Sequence, residues 1–263
     1  METLAPVAMI DSEIDGDHPD LDGGIASRFD ATGGEDRPHA HGTGMAGAIA
    51  SHRRLVGIAP AAQLFAIRAF SSKAASAEST TFNILKGLDW ASTIRVRIVN
   101  MSFAGPRDPS FERALKAAYD KGLILIAAAG NAGPKSPPLY PAAHPNVIAV
   151  TATDMDDKLF SGANRGRHIA IAAPGVDILV PAPEGTYQVT TGTSVAAAHI
   201  SGIVALLLER NPALTPADIR RILTASARKL GPNDQFGAGL VDPIKALQLG
   251  APKSAALTPP IRR

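Results

Sequence analysis

The chain of 263 residues has no cysteine, and aromatic side chains make up only 5% of it. The lack of cysteine excludes a disulfide scaffold, a thiol nucleophile and a zinc site with cysteine ligands. A surplus of one charge is also lacking, because 26 Lys and Arg are balanced by 24 Asp and Glu. A dedicated nucleic-acid-binding protein would cluster positive charge on one face, so we expect no nucleic-acid partner.

Long apolar runs are missing as well. No stretch reaches the roughly 18 consecutive apolar residues of a transmembrane helix, and the longest candidate, Val195–Leu208, is interrupted by His199, Ser201 and Gly202. The first residues, METLAPVAMID, lack the basic region and the apolar stretch of a signal peptide. The sequence therefore predicts no membrane span, and it indicates either an intracellular protein or a mature or trimmed form.

Apolar residues nevertheless make up 45% of the chain, which is enough for a substantial core. Short apolar runs alternate with amphipathic segments, and this pattern predicts a three-layer α/β fold with a mostly parallel central sheet flanked by helices. We interpret residues 1–250 as one catalytic domain and residues 251–263, rich in Pro, Ala and Ser, as a flexible tail or linker. The predicted strands are Val7–Ile10, Gln63–Phe70, Val96–Met101, Leu123–Ala129, Val147–Thr151 and Ile169–Ala172, and the predicted helices cover 80–94, 111–118 and 194–210 and begin again at 215 and 242.

Polar residues follow three of the predicted strands. Asp11 follows the first strand, Ser102 follows the strand that ends at Met101, and Asn131 follows the long central run. Ligands of parallel sheets bind beyond the carboxyl ends of the strands. We therefore expect these three residues at one edge of the sheet.

Two further segments look like the starts of helices. His41-Gly-Thr-Gly precedes one of them, and Gly192-Thr-Ser194 precedes the long apolar one. A serine at the start of a buried helix lies beside free backbone N–H groups and the positive end of the helix dipole, where an oxyanion is stabilised. Asp, His and Ser together are the groups that acyl transfer requires.

With these residues the chain resembles the subtilisin-like serine proteases, the subtilases. Seven stretches match the motifs of that family in the same order, and they cover the chain from Pro6 to about Gln248. One such motif would be weak support, whereas seven in order are specific. They are VAMIDSEIDGDHPDL (7–21), HGTGMAG (41–47), VNMSFAGP (99–106), AAGNAG (128–133), YPAAHPNVIA (140–149), AAPGV (172–176) and TGTSVAAAHISG (191–202).

The resemblance implies a serine endopeptidase that cleaves peptide bonds of proteins through an acyl-enzyme intermediate. Ser194 would be the nucleophile, His41 the general base and Asp11 the carboxylate that orients the imidazole. The Asn131 side chain and the Ser194 backbone N–H would form the oxyanion hole. The reaction would need no metal and no cofactor.

By the same resemblance, a peptide substrate adds as a strand beside one sheet segment, and the side chain before the scissile bond enters a pocket behind it. Ala104 and Leu139 both reduce the volume of that pocket and neither is charged, so we expect a preference for small to medium apolar side chains. The substrate-binding residues implied are Ser102, Phe103, Ala104, Gly105, Ala128, Ala129, Gly130 and Leu139.

The resemblance also bears on partners and location. It implies polypeptide substrates, it allows a propeptide or a protein inhibitor as a further partner, and we expect a monomer. Because the family is mostly exported, we expect a secreted or periplasmic, processed form. A cytoplasmic enzyme that starts at Met1 is the alternative.

Two departures from the family carry expectations of their own. Residues 51–56 read SHRRLV, where many relatives carry an Asn-rich loop that binds calcium tightly. Two arginines and no carboxylate do not suit a hard cation, so we predict that this calcium site is absent, although structural calcium elsewhere stays open.

Glu13 stands where the family usually has a glycine. It either disfavours ionisation of Asp11 or points to a partner such as an arginine, and we hypothesise that it tunes the pH profile.

Two other functions stay open on the sequence alone. Histidines and carboxylates in the first two motifs are also compatible with a metal site, which would make the protein a metal-dependent hydrolase. The second alternative is a catalytically silent subtilase domain that binds peptides. The residues of the metal alternative are Asp11, Asp15, Asp17, His18, His39 and His41.

Overall fold

The computed structural model describes residues 4–34, 37–71 and 77–252. Residues 253–263 of the predicted tail lie outside the described residues, so the division at residue 250 stays a prediction. The described chain contains a seven-stranded sheet and a separate two-stranded antiparallel hairpin, with helices between them.

All pairs of neighbouring strands in the large sheet are parallel. Its order is β2-β3-β1-β4-β5-β6-β7, so the first strand lies near the middle and the chain winds outward in both directions. This confirms the predicted α/β fold. The strands are β1 Leu4–Asp11, β2 Ile25–Asp30, β3 Ala62–Arg68, β4 Ile98–Met101, β5 Ile124–Ala128, β6 Val147–Thr153 and β7 Ile169–Pro174, and the hairpin consists of β8 Ile178–Ala182 and β9 Thr186–Thr190.

The helices cover both faces of the sheet, because alternate residues of each strand point to opposite faces. In β1, Val7 and Met9 pack into one apolar cluster, whereas Ala8 and Ile10 pack into another. The first cluster contains side chains of α1, α4, α5 and α7, and the second contains side chains of α2 and α3. The helices are α1 Ala40–Ala50, α2 Thr81–Thr93, α3 Pro109–Asp120, α4 Thr193–Arg210, α5 Pro216–Ser226, α6 Asn233–Phe236 and α7 Pro243–Leu249.

Helix α4 is the central helix of the fold. It packs against α1 and against five strands of the large sheet. Among the described residues it is the one helix long and apolar enough to span a bilayer, but 72% of it is buried within the protein. Burial of this kind is typical of a core helix. The first turn of α4 lies at the edge of the sheet where β4 and β5 end.

Candidate active site

The site lies at the carboxyl edge of the sheet, where three neighbouring parallel strands end. Asp11 is the last residue of β1, Ser102 directly follows β4, and Asn131 comes three residues after β5. The first turns of α1 and α4 reach the same edge and carry His41 and Ser194. The structure thus places the residues singled out from the sequence, which come from five separate segments, at one edge of the sheet.

Asp11 and His41 form a close pair. His41 Nδ1 lies 2.7 Å from Asp11 Oδ1, and the same oxygen accepts a 2.7 Å hydrogen bond from the Ser12 backbone N–H. Only 4% of the Asp11 side chain is exposed, against 35% of His41. Burial lowers the pKa of His41, but the charge of Asp11 and the hydrogen bond to it outweigh burial and leave that pKa above its ordinary value. The carboxylate therefore favours the protonated imidazole, as a general base requires.

Ser194 and Ser102 bind each other through reciprocal hydrogen bonds. The Ser194 hydroxyl donates to the Ser102 carbonyl oxygen at 3.1 Å, and the Ser102 hydroxyl donates to the Ser194 carbonyl oxygen at 2.9 Å. Ser102 and His41 also line one cavity of about 300 Å³. The Ser194 hydroxyl thus binds to a residue that borders the cavity of His41. Catalytic hydrogen bonds often tighten only when substrate is present.

The amide of Asn131 is oriented by Thr193. Asn131 Oδ1 accepts hydrogen bonds from the Thr193 backbone N–H at 3.0 Å and from the Thr193 hydroxyl at 2.9 Å. Because the oxygen is held by two donors, the Nδ2 group of Asn131 is left as a donor for a ligand. Thr193 Oγ1 also accepts the backbone N–H of Gly130 at 3.0 Å, and Thr193 is fully buried.

Sequence reasoning missed the role of Thr193, and the only available signal was its place directly before Ser194. A threonine can both donate and accept, so it can connect the start of α4 with the segment that follows β5. This connection depends on the spatial proximity of two distant segments and cannot be deduced from spacing along the chain.

A cavity of about 360 Å³ lies beside Ser194 and contains no charged side chain in its lining. Leu139 faces this cavity, as expected for a residue that reduces its volume. Gly130 has φ of +106°, and a Cβ there would come within 2.6 Å of Asn164 Nδ2, so glycine is required. Ala129, which the sequence placed among the substrate-binding residues, is fully buried, and its N–H donates to the Val150 carbonyl oxygen. The lining consists of Phe103, Ala104, Ala128, Gly130, Asn131, Ala132, Leu139, Thr193 and Ser194.

The segment expected to bind a substrate strand is partly occupied by the protein itself. Gly105 N–H donates to the Tyr140 carbonyl at 2.8 Å, and Tyr140 N–H donates to the Gly105 carbonyl at 2.9 Å. Ala104 is exposed, and in the described part of the chain it has no backbone–backbone hydrogen bond. The edge available for pairing therefore ends at Ala104, one residue earlier than the sequence predicts.

The loop at residues 51–57 does not fit the calcium ion that many relatives hold there. Asp20 is fully buried against this loop, and its two carboxylate oxygens accept the backbone N–H groups of Arg54 at 2.6 Å and Leu55 at 3.1 Å. The Arg53 guanidinium binds Asp22 at 3.1 Å. Backbone N–H groups occupy the carboxylate oxygens that a hard cation would need.

Apart from the Asp11–His41 pair, residues of the metal alternative bind groups outside that set. Asp15 Oδ2 accepts the Glu184 backbone N–H at 2.9 Å, and the His18 ring lies 3.0 Å from the Thr186 carbonyl oxygen. Over residues 4–34, 37–71 and 77–252, no group of three or more His, Asp or Glu is arranged to hold a metal ion. Nothing in this arrangement favours a metal-dependent hydrolase.

Glu13 points away from Asp11. Its carboxylate binds Arg28 Nη1 at 2.5 Å and lies 3.5 Å from Arg68 Nε. Of the two orientations considered for this residue, the structure has the one with arginine partners.

The chain is similar to known proteins over most of its length. The subtilase family matches residues 5–239. Subtilisin E of Bacillus subtilis (strain 168) is 36% identical over 254 residues, a match that covers 92% of this chain and 65% of that protein. Subtilisin of Bacillus pumilus is also 36% identical, with 92% and 90% covered, and Subtilisin Savinase of Lederbergia lenta is 34% identical, with 90% and 88% covered. The chain thus spans 65% of the length of Subtilisin E but most of the length of the other two. Given a match across most of its length and this degree of identity, the chain belongs to the subtilase family.

Proposed function

We propose that the protein is a serine endopeptidase in which Ser194 is the nucleophile, His41 the general base and Asp11 the group that orients and charges the imidazole. The observation that carries this proposal is the 2.7 Å pair of His41 and Asp11 at the strand edge where α4 presents Ser194. Membership of the subtilase family and the names of the relatives, subtilisins and an alkaline protease, support the same activity.

Each proton that moves in the proposed reaction has a donor and an acceptor among Ser194, His41, the leaving amine and water. Ser194 Oγ attacks the carbonyl carbon of the scissile bond, and its proton passes to His41 Nε2. The C–N bond then breaks, and the imidazolium gives that proton to the leaving amine, which leaves an ester on Ser194. Water repeats the same two transfers, and the acid is released with Ser194 restored.

The negative charge on the tetrahedral intermediate needs donors that are already in place. Asn131 Nδ2 is aimed by the two hydrogen bonds from Thr193 to Oδ1. The backbone N–H of Ser194 lies in the first turn of α4, where N–H groups have no partner within the helix. These two groups would form the oxyanion hole.

Binding of substrate would also release the nucleophile. A peptide that pairs with the free edge at Ser102 and Ala104 offers an N–H to the Ser102 carbonyl oxygen, which now accepts the Ser194 hydroxyl. Displaced from that oxygen, the hydroxyl turns toward His41. The uncharged 360 Å³ cavity would take a small to medium apolar side chain.

We extend the proposal to partners, cofactors and location. The substrates are extended segments of proteins, and the catalytic form is a monomer that a propeptide or a protein inhibitor can block at the same edge. No cofactor is required, and the loop at 51–57 holds its shape without calcium. Location outside the cytoplasm follows from the family resemblance and is tested by fractionation of the native cells.

The decisive experiment is labelling with a fluorophosphonate probe. We expect labelling of the wild type and of an exposed-serine control, Ser161→Ala, and none of Ser194→Ala or His41→Ala. Absence of labelling in the wild type would favour a silent peptide-binding domain. Hydrolysis that survives Ser194→Ala but stops in EDTA would favour a metal-dependent enzyme.

A further inference from the structure

A second histidine, His39, is connected to the Asp11–His41 pair through Ser12. The Ser12 hydroxyl oxygen lies 3.0 Å from His39 Nδ1 and 3.2 Å from Asp11 Oδ1, and it accepts the Gly42 backbone N–H at 3.1 Å. Ser12 is 2% exposed, so these contacts are sheltered from water. One hydroxyl therefore connects the end of β1 with the start of α1.

The packing between these two segments is tight. A Cβ at Gly42 would collide with the carbonyl oxygen of Ser12, so only glycine allows α1 to start this close to β1. His39 precedes α1 as its N-cap residue, and its Nδ1 accepts the backbone N–H of His41 at 3.4 Å. The His39 ring thus holds the first turn of the helix that carries the general base.

Counting protons assigns a state to the His39 ring. A backbone N–H can only donate, so the hydrogen bond from the His41 N–H requires a lone pair on His39 Nδ1, and the ring proton then lies on Nε2. The single Ser12 proton then has two acceptors within reach, His39 Nδ1 and Asp11 Oδ1. A proton on Nδ1 would remove the helix cap, and it would turn the Ser12 hydroxyl onto Asp11.

We propose that His39 is a positioning residue for the Asp11–His41 pair, acting as a neutral acceptor that fixes the Ser12 hydroxyl and the first turn of α1. This inference rests on the proposed function for its kinetic readouts. Protonation of His39 would weaken the site in two ways. It would loosen the helix turn that presents His41, and it would turn the hydrogen bond of the Ser12 hydroxyl onto the Asp11 carboxylate.

In the part of the chain that the structure describes, charged groups near the His39 ring come from the end of β1 and from α1. Asp11, at the end of β1, is connected to the ring through Ser12. Glu13 follows, and its backbone carbonyl accepts the His39 N–H at 2.9 Å. The Glu13 carboxylate is bound to Arg28 and Arg68. Helix α1 contributes the His41 ring. Arg37, two residues earlier, is exposed. The other described residues that line the cavity shared by His39 and His41 are uncharged: Phe70, Ala77, Ser102 and Phe103.

The test compares His39→Asn, which keeps an acceptor near the position of Nδ1, with His39→Ala, which has none. Loss of one hydrogen bond corresponds to a change of about fivefold to tenfold, so we expect His39→Ala to lower kcat by about that factor with KM little changed. We expect His39→Asn to stay within about threefold of the wild type. His52→Asn, a histidine at the other end of α1, is the matched control.

Two further readouts separate positioning from general stability. Protonation of His39 should cost about as much as His39→Ala, so the acid limb of log kcat/KM against pH in the wild type should carry an extra fall of up to about one log unit beyond the ionisation of His41, and His39→Asn should remove it. The downfield proton resonance of the His41–Asp11 hydrogen bond should move in His39→Ala and return toward its wild-type position in His39→Asn. This resonance needs no catalysis, so it tests His39 even if the fluorophosphonate probe fails to label the protein.

Three kinetic results would overturn the inference. They are a His39→Ala variant with wild-type kcat and pH profile, a His39→Asn variant as impaired as His39→Ala, and an effect confined to KM, which would make His39 a substrate contact. An unmoved His41–Asp11 proton resonance in folded His39→Ala would overturn it as well.

Discussion

The hydroxyl of Ser194 donates to the carbonyl oxygen of Ser102, and the hydroxyl of Ser102 donates back to the carbonyl oxygen of Ser194. Beneath this pair, Asn100 Nδ2 donates to the Ser102 hydroxyl at 2.9 Å, and the Ser201 hydroxyl donates to Asn100 Oδ1 at 2.9 Å. All three supporting side chains are buried. The start of α4 is therefore fastened to the end of β4 by a satisfied polar network.

Replacing Asp11 by Asn should change both the rate and its pH dependence. The amide cannot stabilise the imidazolium, and loss of a triad carboxylate costs about 10⁴ in kcat. The pKa of His41 is raised by Asp11 against burial, so in Asp11→Asn the acid limb of kcat/KM should move to lower pH. The matched control is Glu13→Gln, because that carboxylate is already bound to Arg28 and its loss should shift the limb much less. A larger shift in Glu13→Gln than in Asp11→Asn would contradict this assignment.

The Asp11–His41 pair also affects the stability of the fold. The folded-state pKa of His41 lies above its unfolded value of about 6.5, so the pair contributes stability that is fully present below that pH. The contribution is lost as the pH rises through the raised pKa. The free energy of unfolding of Asp11→Asn, measured by chemical denaturation across this pH range, should lack that pH-dependent contribution.

Replacing Thr193 by Val should impair catalysis with little change in substrate binding. Valine has the same shape but leaves Asn131 Oδ1 without the hydroxyl donor and the Gly130 N–H without its acceptor. The Asn131 amide is then held by the backbone N–H of residue 193 alone, so kcat should fall by about tenfold, less than the roughly 10²–10³ loss on removal of such an oxyanion-hole amide in subtilisin. Thr193→Ser keeps the hydroxyl and should retain most of the rate. Equal kcat values in the Val and Ser variants would show that the hydroxyl does not orient Asn131.

Replacing Leu139 by Ala should broaden the specificity at the residue before the scissile bond. Leu139 lines the 360 Å³ cavity, and its truncation enlarges the space next to Gly130. The ratio of kcat/KM for Phe over Ala at this substrate position should rise by about tenfold. Leu179→Ala, at a hairpin residue that is 52% exposed, is the control and should leave the ratio unchanged. A wild-type preference for Lys or Arg would contradict an uncharged pocket.

Removal of calcium should leave the thermal stability unchanged, since the buried Asp20 binds backbone N–H groups of the loop at 51–57. We expect the same Tm in EDTA and in added calcium. Asp20→Asn loses charge-assisted hydrogen bonds worth about 2 kcal/mol, which corresponds to a fall in Tm of roughly 4–8 °C. Asp22→Asn, whose side chain is 63% exposed, is the control. A rise in Tm with calcium that is abolished in Asp20→Asn would show that the carboxylate binds the ion instead.

Much of the fold could be predicted because the central strands are strongly apolar. β5 is buried throughout and β4 as well, and such runs are typical of parallel strands covered on both faces. Strand β2 escaped prediction because its residues IASRFD mix charged and apolar side chains. It lies at the edge of the sheet, where alternate residues are exposed. The hairpin β8–β9 was missed for the same reason, since neither strand is fully buried.

The identity of the candidate residues could be predicted, but their supporting contacts could not. Asp11, His41, Ser194 and Asn131 lie in stretches with a recognisable local sequence. Ser12, His39 and Thr193 are small or common polar residues whose importance depends on which distant atom each one meets. The partner of Glu13 belongs to the same class, because Arg28 comes from a strand that the sequence did not reveal.

Since the proposed nucleophile is the second residue of α4, its position is tied to a long helix that is mostly buried. Local fraying, which moves loops and chain ends at little free-energy cost, does not reach the interior turns of such an element. Amide hydrogens along 197–208, beyond the first turn, should therefore exchange only through global opening, and inactivation by heat should coincide with collapse of the whole fold rather than precede it.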